Sequence, residues 1–224
     1  MKQNIILFDI NETVLNLSTL KPKFKATFGD ESVITTWFSM LLHSSTVCIM
    51  TGVKTNFATL AGTMLESIAA RMGIKLSKST RDDILSGFAS LPPHNDIKQA
   101  LAQLKSAGFR TVAFSNSPLD LISTQMTNSG LMPYFDDIIS VEETGSFKPD
   151  PNVYKFAAKQ LNQPVESLRL VATHDWDTHG ALSVGMRAAY INRSGAIYHP
   201  LYRQPDICAT TMEDIVKLII EKDG

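Results

Sequence analysis

The 224-residue sequence has only two cysteines, Cys48 and Cys208, and they lie far apart in the chain. Their spacing matches no metal-binding motif, and two free thiols in a reducing compartment are the simplest interpretation. An excess of either charge is also missing, because 21 Lys and Arg nearly balance 22 Asp and Glu. A net charge of -1 therefore gives no reason to expect nucleic acid or an anionic membrane surface as a partner.

Long apolar runs are scarce as well. The first run, residues 5–8, is far too short for the hydrophobic region of a signal peptide. No run approaches the length that crosses a bilayer, so we expect no membrane partner. A cytoplasmic location fits these absences best.

Short apolar runs alternate along the chain with stretches of helical periodicity. Each run has the length of a strand that is buried on both faces. Strands are predicted at residues 4–9, 111–116, 137–141, 168–172 and 187–192. Helical periodicity lies between them, as in Ile97, Leu101 and Leu104, which are spaced i, i+4, i+7. This alternation predicts an α/β fold with a doubly wound parallel sheet, a Rossmann-like core.

One long segment, residues 17–91, interrupts the alternation. It has helical patterns, such as Trp37, Met40 and Leu41, but no convincing strand. The pair Pro92-Pro93 ends it, because two prolines cannot continue a helix. We therefore predict a catalytic core of residues 1–16 and 92–224, with residues 17–91 inserted as a helical cap domain.

Polar residues collect where the predicted strands end. In a doubly wound sheet, ligands bind beyond the carboxyl ends of the strands. The residues at these ends are Asp9, Asn11, Thr13, Ser115, Asn116, Lys148, His174, Asp175 and Asp177. A carboxylate beside a lysine can perform covalent catalysis, with the lysine keeping the carboxylate ionised.

Each of these residues also has an ordinary structural interpretation. Asp9 alone fits a turn at a strand end, and Ser115-Asn116 fits a turn or a helix cap. Lys148 alone fits a solvated loop. Their joint order after successive strands favours one shared site.

Four motifs in this order resemble the haloacid dehalogenase superfamily. They are Asp9-Ile-Asn-Glu-Thr13-Val-Leu15, Phe114-Ser115-Asn116, Phe147-Lys148-Pro-Asp-Pro-Asn-Val-Tyr154, and Val171-Ala-Thr-His-Asp-Trp-Asp177 followed by Gly180-Ala181. The resemblance covers nearly the whole chain and implies that Asp9 is the nucleophile.

The resemblance also implies which subfamily is closer. Phosphatases of the superfamily hold Mg²⁺ with an Asp two residues after the nucleophile and with an acidic residue of the fourth motif. Here those positions are Asn11 and Thr173, so no metal or other cofactor is expected, although Asp175 could stand in. The third motif, through Tyr154, and the pair Trp176-Asp177 instead resemble the L-2-haloacid dehalogenases, which use no metal.

By this likeness, Asp9 would attack C2 of an (S)-2-haloacid and water would hydrolyse the aspartyl ester to an (R)-2-hydroxy acid. Thr13 would orient Asp9, and Lys148 would pair with it. Asp177 would position Lys148 or the hydrolytic water. Ser115 would hold the substrate carboxylate, and Asn116 would bind the leaving halide.

The rest of the binding set expected from the likeness is Asn11, Tyr154, Trp37 and Phe38. Three positions depart from the dehalogenases. Phe38 aligns with an arginine that helps to hold the halide, and Ala172 replaces a serine. His174 replaces an asparagine, where it either acts as general base or only forms hydrogen bonds.

The sequence thus predicts a metal-independent dehalogenase-like hydrolase that acts on a small 2-haloacid. A Mg²⁺-dependent phosphatase of the same fold is one alternative. A non-catalytic member that binds a small carboxylate or a protein is another. Family dehalogenases are commonly dimers, and the apolar face of residues 37–47 could either form such a homodimer or pack inside the cap.

Overall fold

Six strands form one parallel sheet in a computed structural model that describes residues 4–224. They are β1 (Ile5–Phe8), β2 (Arg110–Ser115), β3 (Asp137–Ser140), β4 (Leu168–Ala172), β5 (Arg187–Ile191) and β6 (Ile207–Ala209). Their order in the sheet is β3-β2-β1-β4-β5-β6, and every neighbouring pair is parallel. The order reverses between β1 and β4, which is where doubly wound sheets bind ligands.

Helices surround this sheet and form the insertion after β1. They are α1 (Lys21–Phe28), α2 (Val33–Thr51), α3 (Phe57–Arg71), α4 (Lys78–Ser86), α5 (Ile97–Ser106), α6 (Leu119–Asn128), α7 (Pro151–Gln160), α8 (Asp175–Ser183) and α9 (Met212–Asp223). Short 3-10 turns lie at Leu17–Leu20, Gly87–Ser90, Met132–Tyr134, Val141–Thr144 and Val165–Ser167.

Strand β1 is buried on both faces of the sheet. Phe8 belongs to a core cluster with Leu104 of α5 and Ile215 of α9. Leu7 points to the other face, where Val153 of α7 belongs to its cluster. The four side chains of β1 are fully buried, which explains why the strand is a continuous apolar run rather than an alternating one. The α/β prediction is confirmed.

The structure agrees with the predicted strands except at one. Each of the first five strands begins and ends within one residue of its predicted bounds. Strand β6 was not predicted, because three residues with an exposed Cys208 at the centre give no periodic signal.

The helical cap contains no strand in the described residues between Leu17 and Leu91. Its centre is aromatic: Trp37 lies within 5.4 Å of Phe24 and Phe88, measured between ring centroids. The indole N–H of Trp37 donates to the carbonyl of Ala61 at 3.0 Å. Trp37 is fully buried by these contacts, so packing accounts for all of its surface.

Helix α2 corrects one expectation from the sequence. Its 19 residues would be sufficient, by length and composition alone, to cross a membrane. The expectation that no segment approaches this length is therefore wrong. Trp37 and Leu41 place one face of this helix in the cap core. Val47 and Met50 are exposed, and a homodimer through this surface stays a prediction.

The two chain segments that join cap and core run side by side. Leu15 forms an isolated β-bridge with Pro93, and the backbone N–H of Asn16 donates to Pro92 at 2.8 Å. The backbone N–H of His94 donates to Val14 at 3.0 Å. The cap is thus tied to the loop that follows β1.

Candidate active site

Asp9 continues β1 by one residue beyond the strand. Its backbone N–H donates to the carbonyl of Val171 of β4 at 3.0 Å, which fixes Asp9 at the carboxyl end of the strands. Lys148 Nζ donates to Asp9 Oδ1 at 2.9 Å, and Thr13 Oγ1 donates to Oδ2 at 2.7 Å. The hydroxyl of Thr13 accepts in turn from the backbone N–H of Thr173. The expected grouping of Asp9, Thr13 and Lys148 is therefore present.

Lys148 is buried, and its ammonium group has three partners. Besides Asp9, it donates to Asp177 Oδ2 at 2.6 Å and to the carbonyl of Phe114 at 3.2 Å. The backbone N–H of Lys148 donates to Asn116 Oδ1 at 2.8 Å. Asn116 thus holds the lysine loop with its side-chain oxygen.

Tyr154 supports the far side of this ion cluster. Its hydroxyl donates to Asp177 Oδ1 at 2.7 Å. Gly180 makes room for this arrangement, because a Cβ at this position would overlap the Tyr154 hydroxyl and lie 2.8 Å from Pro149 Cβ. A side chain at position 180 would therefore force Tyr154 to move relative to Asp177.

The buried charges shift one another's pKa. Burial alone would raise the pKa of Asp9, but the charge of Lys148 and the hydrogen bond from His174 outweigh it and lower the pKa. Burial opposes the charge of Lys148 too, yet Asp177 and Asp9 hold its pKa above the ordinary value. For Asp177, burial and the nearby Asp9 raise the pKa despite Lys148. Asp9 is accordingly ionised at neutral pH, as a nucleophile must be.

His174 lies between two carboxylates. Its Nδ1 is 3.2 Å from Asp9 Oδ2, and its Nε2 is 2.8 Å from Glu12 Oε2. Burial alone would lower the pKa of His174, but the hydrogen bonds to Asp9 and Glu12 raise it to about 10. The ring is therefore an imidazolium at neutral pH and donates from both nitrogens.

The aligned arginine position is occupied by an apolar ring beside this imidazolium. Phe38 is buried, and its ring centroid lies 6.2 Å from that of His174. The ring of Trp176 also stacks on that of His174, with 5.1 Å between the ring centroids. The imidazolium of His174 therefore places a positive charge beside the Phe38 ring.

Asn11 and Ser115 lie beneath the carboxylate cluster. Asn11 Nδ2 donates to Ser117 Oγ at 3.2 Å, and Asn11 Oδ1 accepts from Gln125 Nε2 at 3.2 Å. Ser115 Oγ accepts from the backbone N–H of Ser117. The amide of Asn11 thus connects α6 to the loop after β2, and substrate binding by Asn11 and Ser115 stays a prediction.

Two clefts reach the site from different sides. A cleft of 430 Å³ lies between α2 and the core and is lined by Leu42, His43, Lys148, Trp176 and Tyr202, among others. Its volume suits a small organic ligand.

The second cleft, of 220 Å³, is the linker cleft. It is lined by Glu12, Asn16, Leu17, Ser18, His94, Thr173, His174, Arg193 and Ser194. It reaches His174 and Glu12 from the side of the cap linkers.

The residues around Asp9 do not fit the Mg²⁺ site of a phosphatase. Lys148 and Thr13 already occupy the two oxygens of Asp9, and the Asn11 oxygen accepts from Gln125. Asp175, the first residue of α8, accepts from the backbone N–H of Trp176 at 2.7 Å, so one of its oxygens is also engaged. Within residues 4–224, no group of three His, Cys, Asp or Glu side chains is arranged to hold a metal. A hard dication prefers charged oxygen ligands, and the carboxylates of Asp9 and Asp177 are already paired with Lys148.

Comparison with known proteins decides the family. Residues 3–169 match the haloacid dehalogenase-like hydrolases. The chain belongs to this family. It is thereby a hydrolase, and the resemblance seen in the sequence is confirmed.

Dehalogenases are among the relatives of this haloacid dehalogenase-like hydrolase. An (S)-2-haloacid dehalogenase of Pseudomonas fluorescens is 27% identical over 201 residues, 89% of this chain and 88% of that protein. Haloacetate dehalogenase H-2 of a Moraxella species is 25% identical over 97% of this chain and 98% of that protein. A solved L-2-haloacid dehalogenase from Xanthobacter autotrophicus, with chloropropionic acid covalently bound, has a TM-score of 0.90 at 21% identity. That alignment covers 97% of this chain and 98% of the other, and it shows the shared fold.

Two site residues of this hydrolase were missed from the sequence. Glu12 has no assigned role in the sequence motif, but its Oε2 lies 2.8 Å from His174 Nε2. Gly180 was noted only as part of the fourth motif. A carboxylate three residues after the nucleophile, combined with histidine in place of asparagine, is the signal that would have indicated the pair.

Proposed function

We propose that this protein is a metal-independent dehalogenase that converts (S)-2-haloacids to (R)-2-hydroxy acids through an ester of Asp9. One observation carries the proposal: the buried ammonium of Lys148 lies 2.9 Å from Asp9 Oδ1 and 2.6 Å from Asp177 Oδ2. This lysine keeps the nucleophile ionised without a metal. The relatives named above as haloacid dehalogenases support the substrate class.

In the first step, an oxygen of Asp9 attacks C2 of the haloacid from the side opposite the halogen. The C2–halogen bond breaks with its electron pair, and halide leaves while the configuration at C2 inverts. The substrate enters from the 430 Å³ cleft, where Lys148 and Trp176 form part of the wall. Ser115 and neighbouring backbone N–H groups hold its carboxylate.

The leaving halide needs positive charge or hydrogen-bond donors nearby. Phe38 supplies neither. The imidazolium of His174, 6.2 Å from the Phe38 ring between centroids, supplies the charge on that side. Asn116 contributes its side-chain N–H group, since its oxygen is engaged by Lys148.

In the second step, water attacks Cγ of the Asp9 ester. Esterification has removed one of the two carboxylates that stabilise the His174 imidazolium, so the pKa of His174 falls. The ring releases its proton through Glu12, which is 39% exposed, and then accepts one from the attacking water. The bond between Cγ and the C2 oxygen breaks, this oxygen takes the second proton of the attacking water, and the Asp9 carboxylate is restored as the hydroxy acid leaves. The sum is one water consumed and one halide and one proton released.

This chemistry assigns the parts of the chain. The catalytic core comprises residues 1–16 and 92–224, of which residues 1–3 lie outside the described part of the chain, and residues 17–91 form the cap that closes over it. Lys148 is held between Asp9 and Asp177, and Tyr154 fixes Asp177 from behind. Trp37 shapes the cap and does not touch the substrate, because its surface is already covered.

The decisive experiment measures chloride release from L-2-chloropropionate by EDTA-treated protein. We expect release without added metal, none from the D enantiomer, and none from the Asp9→Asn variant, which retains the shape of the side chain but cannot be ionised. Chloroacetate should also react, since it lacks the stereocentre. Absence of release from the wild type would sink the proposal, and Mg²⁺ with a generic phosphate ester would then test the phosphatase alternative on the same sample.

A further inference from the structure

His94 connects the cap linker to the loop that carries Glu12. It follows Pro92-Pro93, in the segment that returns from the cap to the core. Its backbone N–H donates to Val14, while its side-chain Nε2 lies 2.9 Å from the carbonyl oxygen of Glu12. One residue of the linker therefore holds the loop after Asp9 at two points.

The protonation state of His94 suits this contact. Burial and the positive charge of Arg193 lower the pKa of His94, so the ring is neutral at pH 7. A carbonyl oxygen only accepts hydrogen bonds, and the proton of the neutral ring must therefore be on Nε2. The half-buried imidazole is a fixed donor aimed at the Glu12 backbone.

The backbone that His94 holds is in an uncommon conformation. Glu12 has a φ of 65°, in the left-handed region that side-chain-bearing residues seldom occupy. Such a conformation persists where neighbouring groups determine it. The next carbonyl, that of Thr13, accepts from Arg193 Nε at 2.9 Å, and Asp96 holds the other end of Arg193 through both carboxylate oxygens.

The geometry points to His94 as a positioning residue for ester hydrolysis: by holding the Glu12 backbone from the cap linker, it aims the Glu12 carboxylate at His174. This inference rests on the proposed function. All three side chains line the linker cleft, so the chain of contacts runs from the cap linker through Glu12 to His174 and Asp9. Any movement of the linker that breaks the bond from His94 would also loosen the group that takes the proton from His174.

The test separates the two chemical steps in a single turnover. Wild type, His94→Leu and His94→Gln are each mixed with L-2-chloropropionate, with chloride measured by rapid quenching and the Asp9 ester by intact-protein mass. We expect chloride release within about twofold in all three proteins. Ester hydrolysis should be about tenfold slower in His94→Leu, since one hydrogen bond is lost, and His94→Gln should recover most of the rate because its amide N–H replaces Nε2.

Asn128→Ala is the matched control. Asn128 Nδ2 donates to Ala89 at 2.8 Å, so this variant also loses one bond at the junction between cap and core but leaves Glu12 untouched. Its ester hydrolysis should equal that of the wild type. Equal ester hydrolysis in His94→Leu and wild type would overturn the inference, and so would an equal loss in His94→Leu and His94→Gln.

Two further readouts guard against other causes. If His94 acts through Glu12, adding His94→Leu to Glu12→Gln should slow ester hydrolysis no further; a full additional loss would contradict it. If the wild type releases no chloride, the proposed function fails, but the inference about position is still tested by the nuclear magnetic resonance signal of the His174 imidazole. That signal should shift in His94→Leu and not in Asn128→Ala, and an unchanged signal would overturn it.

Discussion

Strand β4 has a buried ion cluster at each end, and the two clusters differ in charge balance. At its amino end, Arg169 contacts Asp206 and Asp223. Beyond its carboxyl end, Lys148 contacts Asp9 and Asp177. Both cations are about 1% exposed, so burial does not distinguish them.

In the cluster at the amino end, every carboxylate oxygen accepts a hydrogen bond from Arg169. Arg169 Nε and Nη1 donate at 2.6 Å to Asp223 and Asp206, respectively, and Nη2 donates to both. Arg187 forms a further ion pair with Asp223. Two guanidinium groups and the exposed ammonium of Lys222 thus face two carboxylates. The pKa of Asp206, which burial alone would raise, is lowered by Arg169. The arrangement fixes α9 and the loop before β6 to the sheet.

The cluster at the carboxyl end is not matched in this way. Two cations, Lys148 and His174, face the three carboxyl groups of Asp9, Asp177 and Glu12. Burial and the nearby Asp9 raise the pKa of Asp177, and the hydrogen bonds to Asp9 and Glu12 raise the pKa of His174, so that the histidine carries a proton at neutral pH. The ion pairs of the amino-end cluster therefore serve stability, whereas the carboxyl-end cluster contains a proton, on His174, that can move during the proposed reaction.

Removing Arg169 should give the largest loss of stability. Arg169→Met leaves the buried Asp223 without its main partner, and breaking a buried ion pair costs about 3–5 kcal/mol. Urea unfolding at pH 7 measures the free energy, and chloride release per folded molecule should be unchanged. Lys222→Met, which removes only an exposed contact to Asp206, is the control and should change stability by less than about 1 kcal/mol. Similar losses in both variants would break the comparison.

Removing Lys148 should affect activity more than stability. Lys148→Met takes away the charge that holds Asp9 ionised, so chloride release should fall at least about 100-fold. Stability should fall by about 1–3 kcal/mol, less than in Arg169→Met, because Asp177, whose pKa burial and Asp9 already raise, can take up a proton when its partner is removed. The loss should shrink as pH is lowered and Asp177 becomes protonated. Urea unfolding at pH 5 and pH 8 checks this, with the surface variant Lys159→Met as control; a loss independent of pH would contradict it.

The fold could be predicted from the sequence because its signals are repeated and local. Five apolar runs that alternate with stretches of helical periodicity leave few arrangements other than a parallel sheet. Strand β6 had no such signal, since Ile207–Ala209 depends on pairing with β5 rather than on its own pattern. The apolar character of α2 was underestimated, because its 19 residues include hydroxyl side chains that divide the apolar runs without making the helix polar.

The site was predictable where strand ends specify it and obscure where tertiary contacts do. Asp9, Lys148 and Asp177 follow separate strands, so their meeting follows from the sheet alone. The pairing of His174 with Glu12 does not follow from the sheet, because the position of Glu12 depends on its left-handed backbone, which His94 of the cap linker holds. Sequence spacing indicates neither the left-handed backbone of Glu12 nor its contact with His94.

The smallest predicted effect concerns the mobile proton itself. The pKa of His174 is raised to about 10 in the folded protein, against roughly 6.5 in an unfolded chain. The stability it contributes is therefore fully present below pH 6.5 and is lost as pH rises through 10. Between pH 7 and pH 8.5 the wild type should lose roughly 2 kcal/mol more than His174→Asn, whose side chain does not titrate.

Urea unfolding across this range tests the difference, with His43→Asn in the cap as a matched substitution outside the cluster. His43→Asn should follow the wild-type curve, while His174→Asn should be flatter with pH. Arg169→Met should be uniformly less stable but keep the wild-type slope, because the substitution leaves His174 and its two carboxylate partners in place. Parallel curves for His174→Asn and wild type would show that the carboxyl-end cluster is as fixed in protonation as the amino-end one, and the proton transfer proposed for ester hydrolysis would then lose its basis.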